Sequence, residues 1–565
     1  MKNIITFILF SAIFSSMNAQ SSLPKNWYQL DKDKDSFQGI SSEKALQELL
    51  KGRPSKTVVV GILDSGVDDK HEDLKNVMWT NPKEIAGNLK DDDKNGFIDD
   101  VHGWNFLGNK NGENIGPDTY ESTRIYAKLK YKYETADPAK LTSEQKKEYE
   151  LFKQTEKEVK ARRATAESNV KGINESKDMV YKAIESVETA LGGKALSAEN
   201  LNALGEPDSK SLSVGISIAQ EFVSSNPDIK TMDDLRKALD VEFEEGSKHF
   251  QNELDFAFNP DYDSRKIIGD NPNDPYENKY GNSDVKGPDA THGTHVAGLI
   301  AASRGNGLGM DGIADNVRIM SVRCVPDGDE HDKDVANAIR YAVDNGASII
   351  NMSFGKGYSP LKGVVDEAVK YAEKHDVLLV HAAGNSAQDN DKLSNFPNKK
   401  FAKKSWFKSN KAKNWLEIGA SSYEQSPNML ADFSNYGKNS VDIFSPGVAI
   451  YSTVPGNAYR NLQGTSMASP IAAGVATLIR SYFPELTAKQ VRNIILKSVV
   501  PIASEQKVPG MDEEKKMSQL CVTGGMINAY KAIQLAQQTR GKKKISKSSK
   551  SEMTVPGEYR ANPKA

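Results

Sequence analysis

The stretch TVVVGILDSGVD, residues 57–68, decides how the rest of the chain is interpreted. It is an apolar, β-branched run that ends at Asp64, and Gly66 permits a tight turn directly after it. Near-continuous apolar runs are typical of strands buried on both faces of a parallel sheet. Sites in such sheets form beyond the carboxyl ends of the strands, so Asp64 is a candidate site residue. Taken alone, a turn or capping role explains Asp64 equally well.

Further runs of the same kind follow, and helical apolar spacing separates them. The predicted strands are VRIMSVRCV, ASIINMSF, DVLLVHAAGN, NWLEIGAS and VDIFSPG. DKDVANAIRYAVDNG and KGVVDEAVKYAEKH have the apolar spacing of helices. Strand, helix and strand in repetition predict an α/β fold with a parallel β-sheet flanked by helices.

The middle of the chain has a different composition. From about residue 121 to 264 it is rich in Lys, Glu and Ala, which favours long solvated helices with ion pairs one turn apart. We predict a mainly helical insertion and leave open whether it binds a partner or restricts a cleft. The predicted segments are a signal peptide (1–19), an N-terminal segment (20–56), the first part of the main domain (57–120), the insertion (121–264), the main part (265–538) and a basic, disordered tail (539–565).

Composition bounds the location and the partners. Basic residues (74) nearly balance acidic residues (76), so no whole-chain charge favours nucleic acid. A lysine followed by a short apolar run ending in small residues predicts export to the periplasm, cell surface or medium, without stable membrane insertion. The only cysteines are Cys324 and Cys521, which we expect to be free and buried.

Three more segments place one polar residue where an α/β fold would expose it. THGTHVAG, residues 291–298, starts a small-residue helix with His292, and QGTSMASP sets Ser466 at a helix start with Pro470 expected in the first turn. LLVHAAGN delivers Asn385 from an apolar strand. Histidines three residues apart could bind metal, but further ligands of the HExxH kind are absent, so His295 is interpreted as a core residue.

Together these blocks resemble the subtilisin-like serine proteases. DSGVDDKHEDL, HGTHVAG, NMSFG, AAGN and GTSMASP occur in that family's order. The resemblance implies a three-layer fold with a seven-stranded type of sheet. It also implies a catalytic triad of Asp64, His292 and Ser466, and an oxyanion hole from Asn385 and the Ser466 amide. The implied substrate-binding residues are Ser353, Phe354, Gly355, Ala383 and Gly384.

An acidic loop suggests calcium. DDDKNGFIDD places oxygen ligands at alternate positions with Gly96 for a sharp turn, as in the first half of an EF-hand loop, although the closing glutamate is missing. A solvated acidic turn is the alternative. By resemblance to the family, Asp73 is a further candidate. The candidate ligands are Asp91, Asp93, Asn95, Asp99 and Asp73. We expect structural Ca²⁺ and no organic cofactor.

The sequence thus predicts an exported serine endopeptidase that acts on polypeptides through an acyl-enzyme intermediate. The alternative is a catalytically silent peptide- or protein-binding module on the same fold. Residue types alone leave the cleavage specificity open.

Overall fold

The computed structural model describes residues 23–205, 207–226, 228–403, 409–543 and 553–555. These residues form two compact units. One is Ser122–Tyr262, and the other comprises Pro24–Glu121 with the described residues from Asp263 onward. The predicted signal peptide and most of the predicted tail lie outside the described residues.

The larger unit is built on a nine-stranded sheet in the order β10-β13-β7-β6-β5-β4-β1-β3-β2. All neighbouring pairs are parallel except β10 with β13. The strands are β1 (Val58–Asp64), β2 (Gly103–Asn105), β3 (Val317–Arg323), β4 (Ile349–Met352), β5 (Leu378–Ala382), β6 (Trp415–Ser421), β7 (Ile443–Pro446), β8 (Ile450–Val454), β9 (Ala458–Leu462), β10 (Val500–Pro501), β11 (Glu505–Lys507), β12 (Glu514–Lys516) and β13 (Gly525–Met526). Strands β8 with β9 and β11 with β12 form separate hairpins.

All six predicted apolar runs are strands of this sheet, and the predicted fold class is confirmed. The resemblance implies seven strands, but the sheet has nine. The short strands β2, β10 and β13 extend the two edges to nine, because their backbones continue the ladders of β3 and β7. Apolar burial on both faces explains the strand composition, since every residue of β4, β5, β6 and β7 is buried.

Helices cover the sheet and make up the smaller unit. They are α1 (Lys32–Asp35), α2 (Ser42–Ala45), α3 (Glu121–Tyr133), α4 (Ser143–Leu191), α5 (Ala198–Asn202), α6 (Lys210–Ser225), α7 (Met232–Asn252), α8 (Arg265–Ile268), α9 (Thr291–Ala301), α10 (Asp332–Asp344), α11 (Lys362–Lys374), α12 (Thr465–Tyr482), α13 (Ala488–Lys497), α14 (Met517–Leu520) and α15 (Ala529–Gln538). Helices α10 and α11 correspond to the two predicted helical stretches.

The smaller unit is helical, as its composition predicts. Its 49-residue helix α4 starts with a capping box in which Thr142 and Gln145 satisfy each other's backbone amides. One side of α4 packs against α6 and α7 through a cluster of buried aliphatic residues that includes Ile184, Val187 and Leu235. Nearer its N-terminus α4 also buries Phe152, which stacks on Tyr126 of α3, so this unit has apolar packing of its own.

Two further predictions can be examined. Cys324 and Cys521 are both free and buried, as expected. Within the described part of the chain, no helix combines the length and the apolar character needed to cross a bilayer. Residues 553–555 of the predicted tail are described, and there Thr554 exchanges backbone hydrogen bonds of 2.8 and 2.9 Å with Ser55.

Candidate active site

Asp64 is the last residue of β1, at the carboxyl edge of the parallel sheet. The backbone must turn sharply after it, and Gly66 does so at a φ of +133°, where a Cβ would lie 2.1 Å from the Lys286 carbonyl oxygen. Gly293 of helix α9 approaches just as closely, because its Cβ would lie 2.1 Å from the Gly66 oxygen. The two glycines therefore let helix α9 pack directly against the end of the strand.

His292, at the second position of α9, lies against Asp64. Its Nδ1 is 2.7 Å from Asp64 Oδ1, which also accepts the Ser65 amide at 2.8 Å. The Asp64 side chain is 3% exposed, whereas that of His292 is 39% exposed. Burial by itself lowers the pKa of His292, but the carboxylates of Asp64 and Asp289 outweigh it and raise this pKa above its usual value of 6.5. No hydrogen bond joins the opposite ring nitrogen, Nε2, to any of the described residues.

Ser466 is the second residue of α12, which packs against α9. Pro470 is the sixth residue of this helix, so the expectation that it lies in the first turn is wrong. Because proline has no N–H, the Ser466 carbonyl lacks its helical donor, and the Ser353 hydroxyl donates to it instead at 2.9 Å. The Ser466 hydroxyl donates to the Ser353 carbonyl at 3.1 Å, and it makes no hydrogen bond with His292 among the described residues.

Asn385 follows β5 and reaches the start of α12. Its Oδ1 accepts the amide and the hydroxyl of Thr465, both at 2.8 Å. Its Nδ2 has no acceptor within the described residues, and Asn385 is exposed to solvent. The amide of Ser466, second in its helix, has no intrahelical acceptor either. A Cβ built on Gly464 would lie 3.3 Å from Asn385 Nδ2 and 3.5 Å from the Ser466 amide nitrogen, so these two N–H donors lie close together beside Ser466.

Two backbone segments border the space next to these donors. One contains Ser353, Phe354 and Gly355 after β4, and the other contains Ala383 and Gly384 after β5. Asn395 lies between them, since its Nδ2 donates to the Ala382 and Ala383 carbonyls at 3.3 and 3.1 Å. A Cβ on Gly355 would lie 2.6 Å from Asn395 Oδ1. The sequence predicts only that the segment 394–415 borders the pocket, and it does not distinguish Asn395 within that segment.

Two buried polar residues, Asn351 and Ser469, connect to Ser466 through hydrogen bonds with Ser353. Asn351 Nδ2 donates to the Ser353 hydroxyl at 2.9 Å, and the Ser469 hydroxyl donates to Asn351 Oδ1 at 2.8 Å. This chain of hydrogen bonds links the end of β4 to the first turns of α12. It fixes the backbone on which Ser466 stands. Neither Asn351 nor Ser469 was singled out from the sequence, although both lie within the quoted blocks.

His295 is fully buried, and its Nε2 lies 2.9 Å from the Ile450 carbonyl and 3.2 Å from that of Arg460. Burial, assisted by the neighbouring His292, lowers the pKa of His295 to about 3, so its ring is neutral at ordinary pH. Among the described residues, the only group of three metal-ligating side chains contains no histidine. The structure therefore places His295 as a hydrogen-bonded core residue.

That group consists of Glu84, Asp91 and Asp93, which offer oxygens within 4.8 Å of one another. Glu84 Oε2 is buried and has no hydrogen-bond partner among the described residues, which suits a cation held there. Asp99 lies in the same loop but is not in the group, and Asn95 Oδ1 accepts the Phe97 amide at 2.7 Å. The amides of Gly87 and Leu89 donate to the Asp99 carboxylate. Glu84 was missed because it precedes the acidic motif.

Asp73 lies outside this group. Its carboxylate accepts Asn306 Nδ2 at 2.5 Å and the Tyr459 hydroxyl at 3.1 Å. The structure thus brings Asp73 and Asn306 together, but the Asp73 carboxylate already accepts hydrogen bonds from two side chains.

Fold and site together define a parallel α/β protein with an acid–histidine pair and a serine at the carboxyl edge of its sheet. The model of the subtilase family matches residues 55–524, and the chain belongs to this family. It is 35% identical over 276 residues to a thermophilic serine proteinase of Bacillus sp. (strain AK1), covering 48% of this chain and 58% of that protein.

Two more similarities complete the comparison. Subtilisin DY of Bacillus licheniformis is 38% identical over 206 residues, 36% of this chain and 68% of that protein. A solved structure of the prenylagaramide maturation protease PagA is 27% identical with a TM-score of 0.36, covering 44% of this chain and 83% of that one. The chain thus spans about three fifths of the length of the first of these relatives.

Proposed function

We propose that the chain is an exported serine endopeptidase that hydrolyses peptide bonds through Asp64, His292 and Ser466. The observation that carries the proposal is the 2.7 Å contact between His292 Nδ1 and Asp64 Oδ1, on the helix that packs against α12; within the described part of the chain, Nε2 has no hydrogen-bond partner. This contact holds the imidazole in the tautomer that accepts a proton at Nε2.

In the proposed reaction, rotation of the Ser466 side chain releases its hydroxyl from the Ser353 carbonyl and turns it towards His292. The imidazole takes the hydroxyl proton while Ser466 Oγ attacks the peptide carbonyl. His292 then gives the proton to the leaving amine, which yields an acyl-enzyme. Water, deprotonated by the same imidazole, attacks the ester and releases Ser466. The Asp64 carboxylate stabilises the imidazolium in both halves of the reaction.

The oxyanion forms at the position where Asn385 Nδ2 and the Ser466 amide converge. Because Thr465 already fixes Asn385 Oδ1, the amide group needs no reorganisation when negative charge develops, and preorganised donors of this kind are usually the largest single contribution to catalysis. Ser353, Phe354, Gly355, Ala383 and Gly384 supply the backbone that borders the bound peptide.

Calcium is proposed as a structural ion held by Glu84, Asp91 and Asp93, with Asp73 as a separate candidate ligand. Hard carboxylate oxygens are the ligands that Ca²⁺ prefers. When bound, the ion would stabilise the folded loop by neutralising three carboxylates, and it would take no part in bond cleavage.

The test is labelling of the purified protein with a fluorophosphonate probe, with casein hydrolysis measured in parallel. Wild type should label and cleave, and folded Ser466→Ala should do neither. Ser168→Ala, an exposed serine of α4, is the matched control and should behave as wild type. A folded wild type that neither labels nor cleaves, with or without added calcium, would instead favour the peptide-binding alternative.

A further inference from the structure

A second candidate site lies at the amino ends of the parallel strands, whereas the proposed catalytic residues lie at their carboxyl ends. A cavity of about 330 Å³ lies where β6 and β7 begin, whereas Asp64 and Asn385 lie where β1 and β5 end. At about 3.3 Å per residue, the seven residues of β6 put the two edges on the order of 20 Å apart. The cavity is therefore separate from the peptide-binding segments.

Cations dominate the lining of this cavity, which we call the basic cavity. They come from the loop before β6, the turn before β7 and the first turns of α13, and they are Lys399, Lys411, Lys413, Lys438, Lys489 and Arg492. Among the described residues that line the cavity, Asp442 is the only carboxylate. Lys399 Nζ lies 2.8 Å and Arg492 Nη2 3.2 Å from the same Asp442 oxygen, so two cations share one carboxylate and this part of the lining keeps a net positive charge.

The other cations are not neutralised. Lys411, Lys413, Lys438 and Lys489 form no ion pair with any of the described residues, and all four are exposed. Arg492 Nε donates to the Trp415 carbonyl at 2.6 Å, and Nη2 to Asp442, while Nη1 has no acceptor among the described residues.

Two further carboxylates, Asp391 and Glu373, accept hydrogen bonds from backbone amides of the lining residues Asn439 and Lys413. Asp391 accepts the Asn439 amide at 3.0 Å and the Ser440 hydroxyl at 2.6 Å, and its pKa is lowered because these hydrogen bonds outweigh its burial. Glu373 has one oxygen 3.4 Å from the Lys413 amide. Neither of them lines the basic cavity.

We propose that the basic cavity binds a small polyvalent oxyanion, a molecule with two or more phosphate or sulfate groups. Its volume is in the range of about 300–1,000 Å³ that is usual for small-molecule sites and exceeds what one inorganic ion needs. The buried Lys399 and the unused Arg492 donor provide fixed partners, and the exposed lysines provide adjustable point charges that accept different arrangements of the anionic groups. Such groups exist on free polyphosphates and on sulfated or phosphorylated extracellular polymers.

The test is calorimetric titration of the full chain with sodium tripolyphosphate at constant ionic strength. Wild type should bind it saturably. Lys438→Gln with Lys489→Gln should weaken binding about tenfold, since two exposed charge contacts to the oxyanion are lost. Lys75→Gln with Lys531→Gln removes the same charge from exposed positions outside the cavity and should leave the affinity within twofold.

Both double variants should keep the wild-type melting temperature and rate of casein hydrolysis, so this test is independent of the proposed protease function. Competition of heparin against tripolyphosphate would support the proposal and assign polymer-borne groups to the same cavity. Tripolyphosphate binding without such competition would support it and restrict the ligand to free oxyanions. Lack of saturable tripolyphosphate binding, or equal weakening in both double variants, would overturn it.

Discussion

Asp64 Oδ1 lies 2.7 Å from His292 Nδ1, although 228 positions separate the two residues in the chain. The contact joins the end of β1 to the second residue of α9, and the helical unit formed by Ser122–Tyr262 lies between them in sequence. A carboxylate so close to the ring both fixes its tautomer and raises its pKa.

Replacing Asp64 by Asn tests this relationship. We expect kcat/KM to fall by about 10⁴, because the ring loses the partner that sets its tautomer. The wild-type acid limb should lie above pH 6.5, since His292 must be neutral to act and its pKa is raised above that value. In Asp64→Asn the limb should move to lower pH. Asp289→Asn should shift the acid limb slightly to lower pH while kcat/KM stays near the wild-type value. An acid limb that does not move in Asp64→Asn would contradict this explanation.

Asn385→Ala should lower kcat by about 10²–10³ with little change in KM, because Nδ2 is expected to bind only the developing oxyanion. Steady-state kinetics on a chromogenic peptide measure both constants. Gln388→Ala, an exposed amide three residues further on, should match wild type. A rise in KM with kcat preserved would mean that Asn385 binds the substrate in its ground state.

Asn395→Ala should widen the space between the Gly355 and Ala383 segments. Substrates with a large apolar residue before the cleaved bond should gain about tenfold in kcat/KM relative to those with a small one, since each methylene accommodated contributes about 1–3 kcal/mol. A peptide series that varies only this residue provides the measurement, and Leu393→Ala, an exposed neighbour, is the control. Unchanged selectivity would place Asn395 outside the pocket.

Added calcium should raise the melting temperature of wild type, with about 2.7 kcal/mol of stabilisation at a hundred times the dissociation constant. Glu84→Gln with Asp93→Asn should abolish this response to calcium, while Asp73→Asn should retain it. The reverse result would locate the ion at Asp73. A chelator added to wild type should lower the melting temperature to that of the double variant.

Glu330 should make stability depend on pH. Burial raises its pKa to about 8 from the ordinary 4.5, although the nearby Lys356 opposes the shift. Between these values the unfolded chain has lost the proton that the folded protein keeps, so the free energy of unfolding falls as pH rises and levels off above 8. Glu330→Gln should therefore gain stability relative to wild type from pH 5 to 8, measured by urea unfolding. Glu505→Gln, at an exposed position, should not gain stability in this way. If the free energies of unfolding of Glu330→Gln and wild type change in parallel with pH, the prediction is contradicted.

Much of the site was predictable because its residues stand next to regular elements. Asp64 ends an apolar strand, Asn385 follows another, and His292 and Ser466 lie at the starts of helices, so their placement at the carboxyl ends of the strands follows from local sequence. Pro470 shows the limit of this reasoning. Its place as the sixth residue of α12 was misjudged, and its effect on the Ser466 carbonyl becomes visible only through Ser353, more than a hundred residues earlier.

The sequence by itself determined the parallel α/β class, the family and the helical character of the middle segment, because periodicity, residue order and composition are local properties. Whether Cys324 and Cys521 pair was left to the structure, which has both free. Only the tertiary structure decided that Glu84 joins Asp91 and Asp93, that Asn385 Oδ1 binds Thr465, and that Asn395 lies between the segments that follow β4 and β5. The tertiary structure also brought together the cations of the basic cavity, which come from three separate stretches of the chain. The physical reason is that a hydrogen bond or an ion pair depends on which distant segments the packed sheet brings within about 3 Å, and no local pattern encodes that distance.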